Sequence, residues 1–154
     1  MTGPLSALAV WRLVPTWIGP TISARPPTQN ERSDRVLWRL VWPGMVVYSS
    51  NEEMRDRWTV RHRKMKPYKV AGWAEANKLQ VPDLGVVEVE FITIRPDPMD
   101  ADGPHPTYKA LLDGVVSAGV LVDDGPEWVR SITYHAVDPG PNEVRMMIRE
   151  IAKR

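Results

Sequence analysis

Carboxylates gather on both sides of one short apolar segment between residues 99 and 129. Asp100 and Asp102 are separated by one residue, so an extended backbone points both side chains the same way. Asp123 and Asp124 follow the segment. Clustered carboxylates repel one another unless a cation lies among them, and oxygen ligands without histidine or cysteine favour Mg²⁺ or Mn²⁺ over zinc. The pattern therefore indicates metal-assisted hydrolysis of a phosphodiester.

The same residues also have plain structural interpretations. An Asp-x-Asp sequence is common in turns, and Asp102 could simply precede a helix. Residues 123–125 (Asp-Asp-Gly) also fit a turn. Lys109 lies four residues before Asp113, a spacing that fits a surface ion pair on a helix. No single residue of the set therefore identifies a catalytic site.

A strongly basic block precedes the acidic region. Residues 55–69 carry seven basic and one acidic residue, a net charge of +6, and residues 88–127 carry nine acidic and two basic residues, a net charge of −7. The basic residues are Arg55, Arg57, Arg61, Arg63, Lys64, Lys66 and Lys69. Such side chains neutralise phosphates, and Trp58, His62 and Tyr68 among them could stack on unpaired bases, although for Trp58 a core position is the favoured interpretation. The alternative is two solvated faces that attract each other.

The overall composition limits the class of protein. The chain has 154 residues, 43% of them apolar, and a formal net charge of only +1, which fits one globular domain. The sequence has no cysteine, which excludes disulfides, thiolate zinc sites and cysteine nucleophiles. No apolar run reaches the length of a membrane span, and the N-terminus is a poor signal peptide. A cytoplasmic protein without a membrane partner is therefore expected.

The strands that must position the acids can be read from their patterning. Residues 35–42, 86–94 and 127–137 are rich in branched and aromatic residues and are predicted strands. In the second of these, Glu88 and Glu90 would lie on the solvent side. Residues 142–151 fit either a strand or a helix by periodicity. The prediction is an α+β domain with a small mixed sheet of about four strands and two main helices.

Two helical regions separate the strands. The first would begin near Glu52, with Ser50 or Asn51 as its N-cap, and would be interrupted at Pro67 before resuming to about Leu79. In the second, Pro106 suits the first turn and Gly119 the end. One buried stripe is predicted along it, formed by Tyr108, Leu111, Leu112 and Val115.

The chain is predicted to consist of a short N-terminal extension and a longer folded domain. Residues 1–34 hold five of the fifteen prolines and are predicted to be a weakly ordered N-terminal extension. Residues 35–154 would form the folded domain. His105 and His135 are isolated in the sequence and are expected to be structural or surface residues.

The acidic stretch resembles the RusA family of Holliday junction resolvases, particularly its phage and actinobacterial members. The matching residues are Asp100-Ala101-Asp102, Lys109-Ala110-Leu111-Leu112-Asp113, Ala118-Gly119 and Leu121-Val122-Asp123-Asp124. The spacing from Lys109 to Asp124 matches the family pattern without a gap. A looser similarity extends from Val36 to Ile151.

This resemblance implies a small α+β homodimer that resolves four-way DNA junctions by paired Mg²⁺-dependent nicks. Asp100, Asp102 and Asp124 would hold the metal, and Lys109 would assist at the scissile phosphate. The basic block would position branched DNA through its phosphates. The resemblance also implies a strand for residues 142–151.

Two departures from the family pattern leave other functions open. Gly103 stands where many members have asparagine, and only Arg95 remains of an arginine run before the acidic turn. The main alternative is a junction-binding or branched-DNA-binding protein of the same fold with impaired catalysis. Another metal-dependent phosphoesterase, or an interaction domain whose acids are only solvated, are further alternatives.

Overall fold

The computed structural model describes residues 37–135 and 137–153. Eight elements make up this part of the chain. In order they are β1 (Leu37–Pro43), α1 (Ser50–Arg55), α2 (Trp58–Lys78), β2 (Val86–Arg95), α3 (His105–Ser117), β3 (Val129–Tyr134), β4 (Asp138–Pro139) and β5 (Glu143–Ala152). The α+β prediction and its two main helices are confirmed. The described sheet has five strands rather than four because the two-residue β4 also pairs with β2. The predicted extension, residues 1–34, lies outside the described residues.

The sheet is mixed, with the strand order β1-β5-β2-β3. β5 pairs antiparallel with both β1 and β2, whereas β3 pairs parallel with β2. Parallel neighbours need a crossover, and α3 supplies it. The acidic segments therefore lie in the two connections of one β2–α3–β3 unit, one before the helix and one after it. The ambiguous residues near the C-terminus form β5, a strand.

The core lies between one face of the sheet and α3. Phe91 of β2 and Ile148 of β5 point to this face and are almost fully buried, as are Leu111 and Val115 of α3. Alternation along the strands puts Glu88 on the other, partly exposed face, within 3.9 Å of Arg149. The buried stripe predicted for α3 is confirmed.

The first helical region differs from the prediction. Its N-cap is Ser49, which forms a capping box with Glu52, and not Ser50 or Asn51. The break falls between α1 and α2, at Asp56 and Arg57, and Pro67 lies inside α2 without ending it. Asp56 leaves the helical conformation because its carboxylate accepts hydrogen bonds from other parts of the chain, which sequence periodicity does not reveal.

Two glycines let α2 and α3 approach closely. A Cβ on Gly72 would overlap the Leu111 carbonyl oxygen, and one on Gly114 would lie 2.7 Å from the Trp73 backbone nitrogen. Real Cβ atoms do not reach such distances, so these positions require glycine. Trp42 of β1 adds a hydrogen bond from Nε1 to the Ala71 carbonyl at 3.0 Å. The basic helix is thereby fixed against the helix that carries Lys109.

Candidate functional site

Lys109 is the centre of the candidate site. Its Nζ donates hydrogen bonds to Asp113 Oδ1, at 2.7 Å, and to Asp124 Oδ2. Asp113 lies one turn further along α3, as the i,i+4 spacing predicts. Asp124 comes from the connection that follows the helix. One ammonium group therefore joins a carboxylate of its own helix to a carboxylate of the returning chain.

The connection after α3 brings Asp124 back along the helix. Gly119, with a φ of +83°, allows the chain to reverse, and the buried Val120 and Leu121 anchor the returning segment. The end of α3 lies about 12 Å beyond Lys109 along the helix axis, so the segment must run back over that length. The return places an acidic residue beside the N-terminal half of α3.

The two charged partners alter each other's titration. The hydrogen bond from Lys109 holds the pKa of Asp124 below its usual value, and this effect exceeds the opposing effect of partial burial. Partial burial lowers the pKa of Lys109, but hydrogen bonds to Asp113 and Asp124 outweigh it, so the pKa is raised. Both groups are therefore charged over the neutral pH range.

Aromatic rings line the small cavity, of about 50 Å³, that contains Lys109 and Asp124. The Tyr108 ring stacks on Phe91 at 4.4 Å and on Tyr134 at 5.2 Å between centroids. Apolar walls of this kind reduce screening by water and strengthen charge interactions at the cavity. Lys109 keeps 46% and Asp124 28% of its side-chain exposure, so the aromatic walls shield this ion pair only on one side.

Asp102 precedes the start of α3 and does not itself line the cavity of Lys109 and Asp124. Burial raises the pKa of the Tyr134 hydroxyl, and the negative charge of Asp102 raises it further. Since Tyr134 lines the cavity with Lys109 and Asp124, the Asp102 charge acts on that cavity. Asp102 therefore acts electrostatically on Tyr134, but the pocket that it lines is shared with Asp100 and not with Asp124.

Asp100 lies in a different pocket. Together with Asp102 and Gly103 it lines a cavity of about 250 Å³ on the side of the Ser49–Asn51 segment. The Ser50 backbone N–H donates to the Gly103 carbonyl at 2.9 Å and fixes this loop. Asp124 does not line this pocket.

The predicted ligands do not form a ready-made metal site. Among residues 37–135 and 137–153, no three acidic or histidine side chains lie close enough to hold one ion. The chemistry of the donors fits a hard divalent cation, and Asp124 already binds a cation, the Lys109 ammonium group. Asp100 and Asp102 share one pocket, and Asp124 lies in the other.

The basic block is divided between two environments. Lys64 Nζ lies 2.7 Å from Asp56 Oδ2, and the Tyr48 hydroxyl donates to the same oxygen at 2.7 Å. Arg61 Nε donates to the Asp56 carbonyl at 3.2 Å. The hydrogen bonds from Lys64 and then Tyr48 lower the pKa of Asp56. Two of the seven predicted DNA-binding residues therefore already have partners that hold the α1–α2 junction.

The other basic residues have no ion-pair partner in the described part of the chain. They are Arg55, Arg57, Arg63, Lys66 and Lys69. Lys66 and Lys69 line a cavity between α2 and α3 that also contains Asp113. Because Asp113 binds Lys109, this basic surface adjoins the candidate site.

Two aromatic positions were not anticipated. Trp58, which suited a core by residue type, is 75% exposed and stacks on His62 with ring centroids 6.0 Å apart. His105, expected at the surface, does lie exposed but also lines the Lys109 cavity, and its ring meets Tyr134 edge to face. The i,i+4 spacing of His105 and Lys109 was the signal that could have placed both on one side of α3.

No helix among the described residues has the length and apolar character needed to cross a membrane. In comparisons with known proteins, no protein-family model and no curated protein match this sequence.

Proposed function

We propose that this protein is a Mg²⁺-dependent endonuclease that cuts branched DNA, with four-way junctions as its substrate. One observation carries the proposal: Lys109 binds both Asp113 and Asp124, and a lysine-lined groove adjoins Asp113. The similarity of residues 100–124 to the RusA family pattern supports the reaction class. A cytoplasmic location and a homodimer belong to the same proposal.

The acidic residues would hold the metal. Asp100 and Asp102 would supply ligands from one pocket and Asp124 from the other, and the 99–103 loop would have to approach Asp124 for all three to share one ion. A bound Mg²⁺ would supply a polarised phosphodiester and an activated water. A dication at Asp124 would bind through Oδ1 or replace Lys109 at Oδ2, and in either case it would weaken the hold of Asp124 on the ammonium group.

Lys109 would then be free to act on the substrate. Its raised pKa keeps the ammonium group charged at neutral pH. A charged donor in a partly apolar cavity stabilises the negative charge that develops on phosphoryl oxygens. Asp113 keeps the side chain near the site because it remains a hydrogen-bond partner from the same helix.

The basic surface would position the DNA arms. Arg55, Arg57, Arg63, Lys66 and Lys69 have no carboxylate partners among the described residues and would contact phosphates. Phosphate contacts fix orientation without reading sequence, as a structure-selective enzyme requires. In a two-fold dimer, each subunit would meet one of two opposed strands.

A second candidate is a junction-binding protein with impaired catalysis. The described residues lack a three-acid cluster, and Gly103 stands at a position where many RusA proteins have asparagine. A Cβ at this position would lie 2.5 Å from Met99 Cγ, so an asparagine would displace Met99. This candidate would bind junctions without metal-dependent cleavage.

The test is a comparison of two DNA substrates with and without Mg²⁺. Purified protein is incubated with a labelled four-way junction and with a linear duplex of the same arm sequence. The expected result is that the protein nicks the junction but not the linear duplex, and does so only when Mg²⁺ is present. Binding without nicking would favour the second candidate. If the protein neither bound nor nicked the junction, both candidates would be rejected.

A further inference from the structure

A groove runs between α2 and α3 beside the candidate site. It consists of two adjoining cavities of about 360 and 230 Å³, and Lys66 and Lys69 line both of them. One cavity ends at Asp113, the hydrogen-bond partner of Lys109. The groove therefore leads along the helices towards the proposed active site.

The walls of the groove are largely apolar. Met65 and Ala110 line one cavity, and Val70 and Trp73 line the other. Trp73 is 49% exposed and Val70 is 54% exposed. A half-exposed indole with adjacent apolar side chains is a surface on which a flat aromatic ligand can stack.

The charged residues that line the groove favour a negatively charged ligand. Neither Lys66 nor Lys69 has an ion-pair partner among the described residues, and Asp113, the acid in the lining, is already bound by Lys109. The two lysines are three residues apart on one helix, so their side chains extend over the same face. A ligand that combines flat apolar rings with regularly spaced negative charges matches this surface.

We propose that the groove between α2 and α3 binds a single-stranded segment of nucleic acid, with a base stacked on Trp73 and neighbouring phosphates on Lys66 and Lys69. The inference rests on the proposed function and adds an unpaired strand to its substrate. A strand in the groove would be led towards Lys109 by way of Asp113. Branched DNA with an unpaired stretch next to the cut would then bind more tightly than fully paired branched DNA.

The test measures binding of a fluorescently labelled thymidine oligonucleotide of about 10 nucleotides, by anisotropy. An abasic oligonucleotide of equal length reports phosphate contacts alone. Trp73→Leu should weaken thymidine binding about tenfold and leave abasic binding unchanged, and Trp73→Phe should restore part of the loss. The double variant Lys66→Ala, Lys69→Ala should weaken both ligands about tenfold.

Lys78→Ala is the control for a lysine outside the groove, because it removes one positive charge from the far end of α2 and should change binding less than twofold. Thermal unfolding of each variant verifies that it is folded. Equal affinity of wild type for thymidine and abasic oligonucleotides would overturn the inference, as would wild-type binding by Trp73→Leu. If duplex junctions were still bound and nicked in that case, the proposed function would stand. If polyglutamate bound more tightly than the oligonucleotide, and if that binding depended on Trp73, the groove would be a peptide site. That result would also overturn the inference.

Discussion

Lys109 and Asp124 are joined by a hydrogen bond although they lie fifteen positions apart in the chain. The contact requires the connection after α3 to run back along the helix, which Gly119 and the buried Val120 and Leu121 make possible. It also shows that Asp124 lies where a cation is favoured. The proposed metal site therefore shares a carboxylate with an ammonium group.

Removal of Lys109 should change the titration of Asp124. In Lys109→Met, the pKa of the Asp124 carboxyl is expected to rise towards its ordinary value of 3.8, because the hydrogen bond and the positive charge that lower it are gone. Carbon-detected NMR of the side-chain carboxyl measures this directly. As a control, Lys78→Met removes a distant lysine and should leave the pKa of Asp124 unchanged. If the pKa of Asp124 were also unchanged in Lys109→Met, the proposed ion pair between Lys109 and Asp124 would be disproved.

The same pair makes stability depend on pH. Because the pKa of Asp124 is lowered by folding, its contribution to stability is present above about pH 3.8 and is lost as the pH falls through the lower folded-state value. The raised pKa of Lys109 gives a contribution that is present below about pH 10.5 and is lost at higher pH. The difference in unfolding free energy between wild type and Lys109→Met should therefore be largest between these limits. A difference that is the same at pH 3 and pH 7 in urea titrations would contradict this.

Loss of a metal ligand should separate cutting from binding. Asp124→Asn and Asp100→Asn are expected to abolish nicking of a four-way junction while leaving junction binding largely intact, since each removes a ligand and some repulsion from DNA. Asp123→Asn is the control, because its side-chain oxygen can still accept the hydrogen bond from the Asp124 backbone N–H. Nicking at the wild-type rate by Asp124→Asn would disprove its role.

The close contact of the two main helices predicts the effect of added methyl groups. Alanine in place of glycine inside an exposed helix is usually stabilising by about 1 kcal/mol. At Gly72 and Gly114 the new Cβ would overlap backbone atoms of the neighbouring helix, so each substitution should instead destabilise by about 1–3 kcal/mol. Urea unfolding measures the change, and Gly125→Ala, whose Cβ would meet nothing nearer than 3.5 Å, should have little effect.

Two adjacent basic residues should differ in their contribution to DNA binding. Arg63 has no ion-pair partner among the described residues, whereas Lys64 is bound to Asp56. Each phosphate contact adds about 0.9 to the slope of log affinity against log salt concentration. Arg63→Ala should therefore reduce the slope by about that amount, and Lys64→Ala should reduce it much less. Similar reductions in both variants would show that the Asp56 pair opens when DNA binds.

Much of the scaffold could be predicted because single segments carry its signals. Strict alternation in residues 86–94 predicted β2, and the i,i+3,i+4 stripe beginning at Tyr108 predicted α3. Both patterns depend only on which side of one element is buried. The strand at residues 142–151 needed the family resemblance, because its periodicity fits two structures equally well.

The remainder depends on contacts between distant segments. The break at Asp56 follows from hydrogen bonds to Tyr48 and Lys64, which no local pattern encodes. Trp58, the first residue of α2, is 75% exposed, although its residue type suggested the opposite. In the candidate site, the acids and the lysine could be named from the sequence. The acids are divided between two pockets, and Asp124 pairs with Lys109. Both features depend on how far the chain runs back along α3.

The most direct test of the central claim is the binding of Mn²⁺ in the absence of DNA, measured by electron paramagnetic resonance of the free ion. The proposal predicts saturable binding by the wild-type protein, loss of that binding in Asp124→Asn, and its retention in Asp123→Asn. Absence of saturable binding by the wild type, or equal binding by Asp124→Asn, would contradict a metal site that includes Asp124.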